Sequence, residues 1–566
     1  MSEFSPRGAW PRATAIALAA IFATLVLAQG IGAPFQKDAE SESAQWMQSV
    51  AQGHLLAPVS YYGFLTQKPL LFYWLGAGLT DVTGGVVDEV RARAVAVISA
   101  VALSLIVLAW TSVYVGELEA WLAFLFLLGT YGFAARATVA LTDMTLTMFV
   151  VATLVTLYPI VIGVADKRGR SRRTAWAIAL LFLGVLDKGP VAIVLPALSI
   201  ATYLLLVRLD PLSLLTERWV WLIAIPVIAL SIAWYALWFA YGDPRLRHTF
   251  MTENLGHFMP AGAGGTGEGA RPPWFIVARL VGGSMPLVLL VPATMAMLLS
   301  GELAEHKRGP VLYQASLALA TVVFFSIASA KRDDYILPAL PGVAILSASA
   351  FSATASEQGI GVRLRNAAVM IIAVGMLAAV TLVIFVKAGN LAPKLSLDSS
   401  DAELLGVLIG RTGIASIAFA VLIAAASIVA FNAARGGRAN IAGMALAAVS
   451  LCGSLLFTAV VRPELAEHRS VRAFAPKVRA VVGHDKVCIV YGINDELAFY
   501  YGEAVPDLKA GGCVTAAQTT RAYLFAYEKE YQALPNDLRT RLKPVLQSKL
   551  LGGPGPPALY EIAPSR

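Results

Sequence analysis

Apolar runs of about twenty residues, the length that crosses a bilayer, recur from residue 13 to residue 461 and limit the fold more than any other feature. A run such as AAVMIIAVGMLAAVTLVIFV, residues 367–386, has no polar side chain but one threonine. In lipid its backbone groups must pair within the segment, so the spanning elements are α-helices. Charged residues make up 14% of the chain, against about 25% in soluble domains. The chain therefore reads as a polytopic membrane protein.

Thirteen segments are expected to span: 13–34, 92–115, 118–135, 143–164, 174–187, 189–208, 219–241, 275–299, 310–329, 336–352, 367–387, 408–431 and 441–461. The first also has a signal-peptide character, with small residues near Ala28. It is kept as a span because the topology closes with it. The net charge of +8 is spread through short loops, the pattern of topology signals, and no basic–aromatic surface for nucleic acid is present. With the N-terminus inside, the inner loops carry Lys167, Arg168, Arg170, Arg172 and Arg173, then Arg208 and Arg218, Lys307 and Arg308, Arg363 and Arg365, and Arg435 and Arg438. The acidic Gly116–Glu119 loop is the one exception. Loops 35–91, 136–142, 242–274, 330–335 and 388–407 then lie outside, with everything after Val461.

The tail, 462–566, has another composition. Short apolar runs at 487–491, 497–501, 522–527 and 558–562 alternate with helical patterns, which predicts a small extracytoplasmic α/β domain. Cys488 and Cys513 both fall in it; an oxidising compartment permits a disulfide, and two free buried thiols are the alternative. None of the three cysteines has metal-ligand spacing.

Chemistry-bearing residues gather on the outer side. Asp38, Glu40 and Glu42 follow the first span; they read as a general base or electrostatic anchor, or as a solvated face. Lys68 stands before Pro69 and the aromatic run Phe72-Tyr73-Trp74. It reads as a phosphate ligand at headgroup depth, or as a snorkelling lysine. Pro69 suits the first helical position. Asp143 opens an apolar helix; an acid at a spanning segment is a functional candidate, while the helix dipole alone also favours a carboxylate there. Lys188 lies in Asp-Lys-Gly-Pro, with Asp187 offering an internal ion pair. His257 lies in Glu-Asn-Leu-Gly-His-Phe, before a glycine-rich run at 261–270 and Arg271. That run is read as a flap over a bound substrate. Lys331, Arg332 and Tyr335 form the last cluster, either binding phosphate or neutralised by Asp333 and Asp334.

Taken in order over residues 35–345, these motifs resemble the polyprenyl-phosphate-dependent glycosyltransferases of the GT-C fold, especially the lipid A aminoarabinose transferases and the protein O-mannosyltransferase-like enzymes. The family's first-loop acid falls on Asp38, and its Lys-Pro-Pro-aromatic-Tyr-Trp-Leu motif on Lys68, Pro69 and Phe72 to Leu75. Its second-loop aspartate falls on Asp143, and its Lys-Gly-Pro on Lys188 to Pro190. Its Asn-Leu-x-x-Phe motif falls on Asn254 to Phe258, and its Ser-Lys-x-x-x-Tyr-x-x-Pro on Ser329, Lys331, Tyr335 and Pro338. The chain departs from the pattern at Ala39, Gln67, Leu70 and His257.

The resemblance implies a bacterial inner-membrane enzyme with its site and tail in the periplasm. It would move a sugar from a polyprenyl-phosphate donor, with inversion, to a lipid or glycan acceptor such as lipid A. Asp38 and Asp143 would be catalytic. Lys68, Lys188, His257, Lys331 and Tyr335 would hold the donor phosphate, supported by Glu40, Asn254, Arg271 and Arg332. No cofactor is demanded, and a divalent metal beside the acids stays one reading. A lipid-linked sugar flippase or transporter, a protein O-glycosyltransferase and a non-catalytic assembly subunit are the alternatives. The expected domains are 1–461, with outer loops 35–91 and 242–274, and 462–566.

Overall fold

The computed structural model describes residues 12–35, 38–66, 68–248, 271–352, 358–387, 413–550 and 555–564. Each of the thirteen expected segments falls on a helix or a bent helix pair. The helices up to the glycine-rich loop are α1 (Ala13–Leu27), α2 (Asp38–Ala51), α3 (Leu71–Thr83), α4 (Glu89–Tyr114), α5 (Glu117–Gly129), α6 (Tyr131–Ala137), α7 (Asp143–Val161), α8 (Lys167–Lys188), α9 (Val191–Leu206) and α10 (Arg218–Tyr241).

Among the described residues, seven helices are long and apolar enough to cross a membrane, or up to nine spans if each of two bent pairs counts as one. Those pairs are α5 with α6, bent by 64°, and Phe275–Ser284 with Leu287–Ser300, bent by 96°. The remaining segments fall short for physical reasons. α1 and α9 have 15 and 16 residues, α8 begins with a charged turn, and Leu340–Ser349 follows a 3-10 turn and has 10. Thirteen is therefore a number of helical segments, not of full-length spans.

At the end of the bundle that carries the basic loops, the acidic exception to the charge rule is matched. Lys307 Nζ donates to Glu119 Oε1 at 2.5 Å, and Ser352 Oγ donates to the same oxygen at 2.6 Å. A carboxylate paired in this way no longer opposes the basic side.

At the opposite end, the polar loop 35–91 folds into α2 and α3, which pack on one another through Trp46, Met47, Phe72 and Tyr73. Gly76 makes this possible, since a Cβ there would stand 2.4 Å from Met47 Sδ. Leu70 caps α3, so Pro69 lies just outside the helix and not in its first turn.

The tail holds a four-stranded sheet of order β1-β2-β4-β3, from β1 (Lys486–Ile489), β2 (Ala522–Tyr527), β3 (Leu542–Gln547) and β4 (Pro557–Ile562). β1 and β2 run parallel and the other pairs antiparallel. Three of the four expected apolar runs are strands. The run at 497–501 lies instead in helix Asp495–Tyr501, which starts where Asn494 Oδ1 accepts from Leu497 N–H at 2.8 Å. β3 lacked a strand signal because it carries Pro544 on an exposed edge. Cys488 and Cys513 form a disulfide.

The tail sits directly on the outer loop. The Tyr500 hydroxyl donates to Glu89 at 2.8 Å and accepts from Phe35 N–H at 2.9 Å. Gln45 of α2 donates to the Asp495 carbonyl at 3.1 Å.

Candidate active site

α2 places its residues by helical spacing. Ala39, Glu42, Ser43 and Trp46 share one face, and all four line a cavity of about 570 Å³ at this end of the bundle. Facing them are Lys68 and Tyr73 from the loop and α3, Asp143 from the start of α7, Lys188 from the end of α8, and Arg332 and Tyr335 from the turn after helix Glu305–Ile327. Segments far apart in sequence thus converge on one space.

Asp143 is the first residue of α7, where the helix dipole favours a carboxylate, and Lys188 Nζ donates to its Oδ1. Lys68 and Arg332 also act on Asp143 electrostatically. Gly189 lets α8 stop at this lysine. Its φ of 87° with ψ of −157° is a conformation nearly confined to glycine, so the chain turns sharply and leaves the ammonium at the cavity wall. Lys188 Nζ also stands 5.6 Å from the centre of the Tyr335 ring, which stacks on Phe325 at 4.4 Å. Lys68 is held by a local turn: its N–H donates to Thr66 Oγ1 at 3.2 Å, and Thr66 donates back to the Lys68 carbonyl at 3.0 Å. Trp46 Nε1 pins the same loop through the Phe64 carbonyl at 3.0 Å. Burial pushes the Tyr73 hydroxyl well above its ordinary range, so it stays a neutral donor.

Several expected roles need correction. Glu40 faces away from the cavity. Its carboxylate takes Arg93 Nε at 2.9 Å and Nη2 at 3.2 Å, and the Ala140 N–H at 3.0 Å. Burial works to raise its pKa, but Arg93, with help from Arg462 and Ala140, holds it below the usual carboxylate range. Glu40 is a fold-holding group, and among the described α2 side chains Glu42 is the acid in the cavity.

Lys331 does not line the cavity either; it donates to the backbone carbonyls of Arg271 and Ala328, while its neighbour Arg332 takes the cavity position. The Arg271 guanidinium lies 5.8 Å from the centre of the Phe275 ring, away from the cavity lining. Asp333 and Asp334 pair with Arg279 at 3.0 Å and Arg136 at 2.8 Å, and leave the cluster's cations to other partners. Lys188 pairs with Asp143, not with Asp187, whose buried carboxylate oxygens have no hydrogen-bond partner among the described residues. Asn254, His257 and the glycine-rich run lie outside the described residues, as does the Asp38 side chain, although Asp38 opens α2.

Sequence reading passed over Ser43, Trp46 and Tyr73 as site residues. The first two were legible from helical spacing once α2 was taken as a helix; Tyr73 was read only as an interfacial aromatic.

Among the described residues two carboxylates and three cations line this cavity. That set suits a phosphate with a polar group beside it. Asp143 is taken by Lys188 and flanked by two more cations, and among the described residues no three His, Cys, Asp or Glu side chains form a metal-holding group.

The family model described as dolichyl-phosphate-mannose-protein mannosyltransferase matches residues 51–242. An undecaprenyl phosphate-alpha-4-amino-4-deoxy-L-arabinose arabinosyl transferase of Pseudomonas fluorescens is 29% identical over 223 residues, which cover 38% of this chain and 36% of that protein. The corresponding protein of Shewanella sediminis is 23% identical over 303 residues, covering 53% and 52%. Matches to these two thus span about half or less of the relatives' length. The crystal structure of ArnT from Cupriavidus metallidurans bound to undecaprenyl phosphate superposes with a TM-score of 0.72 at 18% identity, covering 97% of this chain and 98% of that one. The chain has the ArnT-like GT-C fold and is similar to the polyprenyl-phosphate glycosyltransferases that the motifs resembled.

Proposed function

We propose that this chain is a membrane glycosyltransferase that moves a sugar from a polyprenyl-phosphate donor to an extracytoplasmic acceptor, with inversion. The observation that carries the reading is the set of three cations, Lys68, Lys188 and Arg332, around Asp143 in one outer cavity. In the reaction the bond between the anomeric carbon and the phosphate oxygen breaks. Negative charge grows on the departing phosphate, and fixed cations lower that barrier. The acceptor oxygen attacks the opposite face of the sugar. Where the acceptor is a hydroxyl, Glu42 or Asp143 takes its proton. Where the acceptor is a phosphate, as on lipid A, no base is needed and the acids orient it.

A lipid A-like acceptor is favoured by the sequence likeness to the undecaprenyl phosphate-alpha-4-amino-4-deoxy-L-arabinose arabinosyl transferases. A protein acceptor is the second reading, favoured by the family match at residues 51–242. We place the site on the periplasmic side of a bacterial inner membrane. The basic loops at the other end of the bundle and the disulfide in the tail support this placement.

Mass spectrometry of envelope lipids and glycoproteins, from cells with the gene, without it, and with Asp143→Asn, tests the proposal. A sugar increment lost in both the deletion and the variant supports it, and the molecule losing the increment identifies the acceptor. If all acceptors are unchanged while the lipid-linked sugar fails to reach the outer leaflet, the chain is a flippase.

A further inference from the structure

A second cavity, of about 1020 Å³, lies at the opposite end of the bundle from Asp143 and Lys188. It opens among the start of α5, helix Glu305–Ile327, the end of Leu340–Ser349, helix Ile360–Lys387 and the start of helix Ala439–Leu455. Its charged lining residues are Glu119, Lys307 and Arg365. Glu119 is committed to Lys307 and Ser352, so those two charges cancel.

Among the described residues Arg365 has no such counter-charge. It is 5% exposed, yet its only hydrogen-bond partner among the described residues is the Asn366 side chain, through Nε at 3.0 Å. The four terminal N–H donors therefore lack an acceptor among the described residues. A guanidinium stays charged at any physiological pH, and a buried charge without a partner is costly. Asn366, Asn440 and Ser352 add neutral polar groups around it.

We propose that this cavity binds a phosphate group, received in bidentate fashion by the Arg365 terminal nitrogens and supported by the asparagines. The phosphate comes either on an acidic phospholipid of the adjoining leaflet, since basic pockets between spanning helices suit such headgroups, or as a free anion. The site is separate from the catalytic cavity, and its occupancy does not depend on the proposed transfer reaction.

The test uses the full chain in nanodiscs, with native mass spectrometry and thermal unfolding. The lipid arm compares phosphatidylglycerol with phosphatidylcholine; the anion arm adds inorganic phosphate in phosphatidylcholine alone. Retention of phosphatidylglycerol by the wild type, weakened about tenfold or more in Arg365→Gln, assigns a lipid ligand. Arg365-dependent stabilisation by inorganic phosphate, without lipid retention, assigns a soluble one. Asn440→Asp guards against a folding artefact, because it supplies a carboxylate beside an intact Arg365 and should expel the ligand from a folded protein. Equal retention and equal phosphate response in the wild type and both variants overturn the proposal.

Discussion

The last residue of α8 reaches the first residue of α7: Lys188 donates to the carboxylate of Asp143, 45 positions away in the chain. Antiparallel helices bring their outer ends together, and Gly189 lets α8 end sharply enough for the ammonium to turn inward. The pair joins the two ways a membrane tolerates charge, mutual neutralisation and exposure to a polar cavity. In the proposed reaction it also holds a cation at the edge of the space in which negative charge would develop on the departing phosphate.

Loss of either partner should therefore cost more than a contact. Lys188→Gln removes a fixed cation and is expected to lower the transfer rate by about a hundredfold or more. Asp143→Asn is expected to lower it by a similar factor. Because the two act as a unit, the double variant should be little worse than either single one. Single-turnover rates on reconstituted protein check this; fully multiplicative losses would mean that the two residues act independently.

Glu40 and Arg93 make the corresponding prediction for stability. Glu40→Gln leaves the Arg93 guanidinium, buried among the carbonyls of Ile31, Ala33 and Pro34, without its carboxylate. Breaking a buried pair in this way costs about 3–5 kcal/mol, and replacing both residues with apolar ones of similar volume should recover much of it. The pH dependence follows from the sign of the shift. The folded-state pKa of Glu40 is depressed, so its stabilisation is full above the ordinary carboxylate pKa and is lost as pH falls through the folded value. Thermal unfolding across the acid range should show a loss in the wild type that Glu40→Gln lacks.

How much of this was legible in the sequence depended on the physics of each segment. Long apolar runs announce helices because lipid leaves them no alternative, and every expected segment is helical. The bends were not legible: a hydropathy pattern reports apolarity, not direction, so the 96° break before Leu287 reads as one continuous span. Asp143, Lys68 and Lys188 stood out because charge beside apolar sequence is costly. The choice between Glu40 and Glu42, or between Lys331 and Arg332, did not stand out. Residues so close in sequence share composition and differ only in which face of a helix or turn they occupy.

That last choice is testable at Lys331 and Arg332. Arg332→Gln removes a cation from the cavity and should raise the KM for the lipid-phosphate donor about tenfold, the scale of one charge-assisted contact. Lys331→Met breaks the tether to the Arg271 and Ala328 carbonyls. It should lower the unfolding temperature while leaving donor affinity nearly unchanged. Titration with a soluble short-chain donor separates the two; if Lys331→Met weakens the donor more than Arg332→Gln does, the assignment of these side chains is reversed.

The disulfide tests orientation and stability together. Cys488 and Cys513 close a loop with a sequence separation of 25, and a crosslink of that length contributes about 3 kcal/mol by restricting the unfolded chain. Replacing both with alanine should lower the tail's unfolding temperature, and loosening should spread to α2 because Gln45 and Asp495 join the two. Cys452 is the remaining cysteine and lies in a membrane helix, so Cys452→Ala gives a clean background. In that background, a membrane-impermeant maleimide applied to spheroplasts should label the protein only after reduction of the disulfide. Labelling that instead requires opening the inner membrane would put the tail, and with it the cavity beneath α2, on the cytoplasmic side.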